Sequence, residues 1–250
     1  VWVLINGGPG SGIYKSTDRG ESWSEVKAGL PSDDMGRIGL AGAASTPDML
    51  YAIIEANDDE QGVYRSTDFG GTWEKRSSYM TSSPQYYNEI IVDPKNSDRL
   101  YALNTFTMKS EDGGKSFAAL SSQWRHVDDH ALWIDPDNTE HLYIGGDGGI
   151  YESWDRGSTW RHLRNLSITQ FYRIQPDYVE PFYNVCGGTQ DNNTLCGPSR
   201  TTNVHGITNS DWNVVLGGEQ KSWSRYRANS GLDMDFTAAA TVCWILLVKI

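Results

Sequence analysis

Ser16-Thr-Asp18-Arg-Gly20-Glu-Ser-Trp23 returns three more times along this chain. The later copies are Ser66-Thr-Asp68-Phe-Gly70-Gly-Thr-Trp73, Ser110-Glu-Asp112-Gly-Gly114-Lys-Ser-Phe117 and Ser153-Trp-Asp155-Arg-Gly157-Ser-Thr-Trp160. The Asp residues lie 50, 44 and 43 positions apart, the length of one four-stranded propeller blade. A strand-like phrase precedes each copy: GIYKS at 12–16, GVYRS at 62–66, TMKS at 107–110 and GIYES at 149–153. The repeated phrase therefore reads as a hairpin turn. Its Asp can accept backbone N–H bonds across the turn, its Gly supplies a left-handed position, and its final Trp or Phe buries a ring between sheets.

A second phrase falls between the copies: Pro47-Asp-Met-Leu-Tyr51, Asp93-Pro94 running to Leu100-Tyr101, and Asp135-Pro136 running to Leu142-Tyr143. It marks a turn leading into a strand. A fainter version, Ile174-Gln-Pro176-Asp, leads to Phe182-Tyr-Asn-Val, but Gly187-Gly-Thr-Gln190-Asp191-Asn192-Asn193 then stands where a box would fall, so a fifth blade is irregular. The expectation is an all-β chain, a β-propeller of four-stranded blades with Asp-box turns over residues 1–218. About five blades are legible, and the chain opens inside a strand-like run, which reads as part of a larger propeller. Residues 219–250 carry neither box nor blade spacing and read as a divergent or incorrectly translated tail ahead of a genuine non-propeller cap.

Composition agrees. Thirteen Tyr, ten Trp and 26 Gly suit many short strands joined tightly, and the net charge of −11 with no Lys/Arg cluster argues against nucleic acid as a partner. Three Cys, at 186, 196 and 243, are too few for a disulfide framework; a Cys186–Cys196 bridge is open but not required. No targeting segment is visible at the start, and the closing TVCWILLVKI is about half the length that spans a bilayer.

The boxes resemble the Asp-box, or bacterial neuraminidase repeat, superfamily, which includes sialidases, xyloglucanase-like glycoside hydrolases and the sortilin ectodomain. Within it, His126-Val-Asp128-Asp-His130-Ala-Leu-Trp, Gly145-Gly-Asp147-Gly-Gly149, Gln170-Phe-Tyr-Arg and Gly188-Thr-Gln-Asp-Asn-Asn look like a bacterial group described as BNR-repeat glycosyl hydrolases or sortilin N-terminal domain-like proteins. That resemblance implies an extracytoplasmic location. It is specific for fold and poorly specific for function.

Asp18, Asp68, Asp112 and Asp155 sit in the repeated turn and are expected to be structural. His126, Asp128 and His130 alternate along one side of an extended segment and are expected to converge on a sugar or a divalent cation, with Asp129 pointing away; an equally good reading has them bonding neighbouring backbone. Asp147 and Asp191 lie on Gly-rich turns beyond strands. With Asp128 they are the carboxylates for general acid and base work in glycoside hydrolysis, which needs two such groups about 5–10 Å apart. Gln190, Asn192 and Trp212, with His126 and His130, are the substrate-binding candidates, although Trp124, Trp133 and Trp212 also suit packing between blades. Tyr172-Arg173-Ile-Gln175-Pro176 imitates a sialidase phrase but lies after the fourth box and is broken by Gln175, so sialidase chemistry is disfavoured. No nucleophile elbow or phosphate loop occurs, and no cofactor is implied beyond that optional cation. Three functions follow: a propeller recognising a polysaccharide or glycoconjugate, with or without hydrolysis; a sortilin-like propeller binding a protein or peptide; or a structural module of a larger secreted protein.

Overall fold

A computed structural model describes residues 1–32, 35–57, 59–166, 168–189, 192–217 and 243–246. They form two compact units, Val1–Leu163 and Arg164–Ile250. In the first, β1 (Trp2–Ile5), β2 (Gly12–Lys15) and β3 (Ser24–Val26) make a three-stranded antiparallel sheet. Three four-stranded sheets follow in chain order. They are β4 (Ile38–Ala43), β5 (Thr46–Ile54), β6 (Gly62–Ser66) and β7 (Glu74–Ser77); then β8 (Ile90–Val92), β9 (Leu100–Ala102), β10 (Met108–Ser110) and β11 (Ala118–Ala119); then β12 (Asp129–Ile134), β13 (Leu142–Gly146), β14 (Gly149–Ser153) and β15 (Arg161–His162). Each strand pairs antiparallel with the next, as short hairpins dictate.

The core lies between successive sheets. On β5, Leu50, Ala52 and Ile54 pack with Ile13, Ile38, Tyr64 and Trp73, while Tyr51 and Ile53 point the other way and join Val63, Ile90, Val92 and Leu100. Tyr101, next to Leu100 on β9, turns to the following interface with Leu120, Leu142, Ile144 and Tyr151. A strand buried on both faces needs an unbroken apolar run, and Met49-Leu-Tyr-Ala-Ile-Ile54 is one.

All four boxes form the turns that the sequence predicts: β2 to β3, β6 to β7, β10 to β11 and β14 to β15. Ser153 Oγ donates to Asp155 Oδ1 at 2.8 Å and accepts Gly157 N–H at 2.8 Å; Thr159 donates its N–H to Oδ1 at 2.8 Å and its hydroxyl to Oδ2 at 2.7 Å. The other three boxes repeat this pattern atom for atom. The box Gly residues are left-handed, and so are the residues before them, Arg19, Phe69, Gly113 and Arg156. The first box departs in one respect: Trp23 is exposed, whereas Trp73 is buried and Phe117 and Trp160 pack against the cores.

Hydrogen bonding of the ionised form holds these carboxylates low. At Asp112, bonds from the Ser116 hydroxyl and backbone outweigh burial and keep it well below its ordinary 3.8; at Asp155, burial pushes upward but the Thr159 and Ser153 bonds prevail. A depressed folded-state pKa contributes stability above the unfolded value, which is lost as pH falls below it. Asp112→Asn should therefore unfold at lower urea than the parent at pH 7, and the gap should narrow below about pH 4. A gap unchanged at about pH 3 would contradict the role of the ionised carboxylate.

In the second unit, β16 (Ile168–Pro176), β17 (Asn184–Thr189), β18 (Thr194–Pro198), β19 (Asn213–Leu216) and β20 (Cys243–Leu246) form a five-stranded sheet in the order β19-β18-β17-β16-β20. A short 3-10 helix, Asn209–Asp211, precedes β19. Cys186 and Cys196 face each other across β17 and β18 and form a disulfide. Within the tail, Cys243–Leu246 pairs with Ile168–Phe171.

Candidate functional site

The site in the first unit is built where β12 begins. Asp128 has a left-handed backbone, φ 74°, and the β12–β13 register slips between Asp129 and Ala131, leaving His130 as the extra residue of a bulge. These two irregularities re-aim the side chains. Asp129 turns inward, where it is buried against Arg125 and accepts the Thr107 hydroxyl at 2.7 Å. Asp128 and His130 turn to the β13–β14 hairpin, whose loop is Asp147-Gly148. Asp147 donates its N–H to the Asp128 carbonyl at 3.3 Å, and a side chain at Gly146 would collide with that same carbonyl. Gly146 therefore permits the close approach of the two segments.

The outcome is a trio of Asp128, His130 and Asp147, whose ligand-capable atoms lie within 4.8 Å of one another. His130 Nε2 stands 3.4 Å from Asp147 Oδ1 and 3.7 Å from Asp128 Oδ1. The expected alternation of His126, Asp128 and His130 does not survive the bulge. His126 instead directs Nδ1 to the Val127 carbonyl at 2.6 Å, and its backbone N–H donates to the Tyr151 hydroxyl at 3.1 Å. Asp147, expected on a Gly-rich turn, is the third member in place of His126.

Two tyrosines that the sequence reading missed complete the wall. Tyr87 is buried and donates its hydroxyl to Asp128; burial first, and then that bond, raise its pKa to about 12. Its ring stacks on His130 at 5.7 Å, and the exposed Tyr86 meets His130 edge-on at 5.3 Å. The Gln85-Tyr-Tyr-Asn88 run ahead of an apolar strand was the available signal. The surrounding loops are tied together: Asp128 N–H bonds Thr105 O at 2.8 Å, Asp129 N–H bonds Asn104 O at 3.3 Å, and Ser82 Oγ bonds Asn104 Oδ1 at 2.7 Å. Those loops expose Tyr86, Phe106 and Trp124 to solvent, Trp124 at 88%.

Trp133 is half exposed on β12, against Tyr143 and His141. In the second unit, Trp212 packs on Gly197 and lies 5.7 Å from Phe171, so it serves packing there. Asn192 bonds its N–H to Thr189 O at 3.4 Å. Gln190 and Asp191 lie outside the described residues.

Residues 63–76 match the BNR-Asp box repeat model. No curated protein matches the chain. Among solved structures, a GH74 enzyme of Niastella koreensis aligns with TM-score 0.50 at 17% identity, over 82% of this chain and 34% of that one. The fold is an Asp-box β-propeller. The GH74 xyloglucanase of Xanthomonas campestris aligns with TM-score 0.47 at 16% identity, over 74% of this chain and 33% of its own. YCF48 bound to D1 peptide gives 0.38 and 14%, over 78% and 74%. The Asp-box propeller chain thus spans about a third of the GH74 structures it matches. Among the described residues no helix is long and apolar enough to cross a membrane.

Proposed function

We propose that this Asp-box propeller recognises glycans through the loops around Asp128, His130 and Asp147. The observation that carries the reading is the pairing of two adjacent carboxylates with exposed aromatic rings on loops bonded to the same backbone. Carboxylates accept sugar hydroxyls, and a ring such as Tyr86 or Trp124 offers an apolar face to the C–H side of a pyranose. The ligand-capable oxygens of Asp128 and Asp147 lie within 4.8 Å of each other, no farther apart than the roughly 5 Å of a retaining glycosidase pair, so hydrolysis is the stronger form of this proposal. The Cys186–Cys196 disulfide favours an oxidising, extracytoplasmic setting.

Affinity electrophoresis against a panel of soluble polysaccharides tests the reading. At least one should retard the chain, and Tyr86→Ala or Trp124→Ala should weaken that retardation about ten-fold, near 1.4 kcal/mol. Reducing sugar released from the same polysaccharide, and lost in Asp128→Asn, would add hydrolysis. Retardation by none of the panel, with capture of a peptide from a peptide library, would replace the glycan reading by a sortilin-like one.

A further inference from the structure

We infer that Asp128, His130 and Asp147 hold a divalent transition-metal ion of the zinc type. The inference shares its residues with the glycan site but stands on donor geometry alone.

His130 Nε2 is 3.4 Å and 3.7 Å from the two carboxylate oxygens, and all three atoms fall within 4.8 Å. Those separations are long for N–H···O bonds, whose usual length is about 2.9 Å. Ligands placed about 2.0–2.2 Å from a shared tetrahedral ion stand roughly 3.3–3.6 Å apart; the 3.4 Å pair falls in that range and the 3.7 Å pair just above it. The imidazole nitrogen selects zinc-like ions over calcium and magnesium, which prefer oxygen cages. Three protein ligands leave a fourth position for water or a substrate hydroxyl, the pattern of open zinc sites.

The shell around the trio is arranged as such sites require. The buried Tyr87 hydroxyl donates to Asp128 Oδ1, the same oxygen that faces His130, and so orients that carboxylate toward the imidazole, and the Tyr87 ring stacks on His130. Arg125, just ahead of this segment, is committed to Asp129. Among the described residues Asp128 has His130 as its ion-pair partner and no Lys or Arg. Both carboxylates, that of Asp147 only 9% exposed, lie beside the His130 imidazole, and a dication there would offset their charge.

The contrast with His141 is instructive. Its Nδ1 faces Asp135 and its Nε2 faces Glu152, each at 3.2 Å. Opposite edges of one ring cannot share an ion, so His141 belongs to a structural network.

Calorimetric titration of the chelator-treated chain with Zn2+, without sugar, tests this. One equivalent should bind and the Tm should rise with Zn2+ concentration, because a ligand held only by the folded state stabilises it. His130→Ala and Asp147→Asn should each remove the binding. Tyr87→Phe should weaken it by about 10–100-fold, and His205→Ala, an exposed histidine elsewhere, should leave it unchanged. In the unsubstituted chain Zn2+ should protect His130 from diethyl pyrocarbonate, a readout independent of whether the variants fold. Absence of both heat and protection at saturating Zn2+, or equal binding by His130→Ala, overturns the inference. Glycan retardation surviving in metal-free buffer would leave the glycan reading intact, so the two fail separately.

Discussion

Replacing Arg125 with Met is expected to cost about 3–5 kcal/mol of folding stability, because it strands a charge in the core. The Arg125 side chain is fully buried, and its guanidinium meets the Asp129 carboxylate, which is 2% exposed. The Asp129 Oδ2 atom is satisfied by Thr107, and among the described residues Arg125 supplies the positive charge at Oδ1. Removing the arginine leaves that charge desolvated. Taking both away in Arg125→Met/Asp129→Leu should recover most of the loss, since a well-packed apolar pair is often as stable as a buried ion pair. Urea unfolding of the four chains of this double-mutant cycle gives the coupling directly. A loss under about 1 kcal/mol for Arg125→Met alone would show that the carboxylate finds water or another donor. Because Asp129 lies between Asp128 and His130, the same variant should also weaken whatever the site binds.

The second large effect is expected at Gly157. Its φ is 81°, and a methyl group there would stand 2.7 Å from Leu120 Cδ1 and 2.9 Å from Trp160 Cζ2. Gly157→Ala adds a left-handed alanine, about 1–2 kcal/mol, to overpacking worth about 1–3 kcal/mol. A combined loss of roughly 2–5 kcal/mol should appear in thermal or urea unfolding. Gly42→Ala is the comparison. Gly42 is not left-handed, and its nearest neighbour would be Leu50 Cδ2 at an ordinary 3.5 Å, so its change should stay within about 0.5 kcal/mol. Equal losses at the two positions would mean that the box corner is not a packing point.

The box corners were legible because they are local. Ser, Asp, Gly and Ser or Thr within seven residues close their own hydrogen bonds, so the pattern survives in any chain that repeats it. The Asp-Pro turns are similar: Asp93 Oδ1 accepts the N–H groups of Lys95 at 2.8 Å and Asn96 at 3.1 Å. The candidate site was legible only in part. Asp128 and His130 stood out on an extended segment and Asp147 on a Gly-rich turn, but strict alternation assigned His126 to the trio. A period of two holds only while the strand is regular, and the left-handed Asp128 and the bulge at His130 end it. Tyr87 was invisible because its partner Asp128 lies 41 residues away, in the next blade.

Sequence alone determined the architecture, since a blade is specified by short-range turns and by apolar runs that demand cover on both faces. Tertiary structure decided which polar side chains meet. That choice rests on a one-residue register slip and on contacts between hairpins far apart in the chain, neither of which leaves a periodic mark in the sequence.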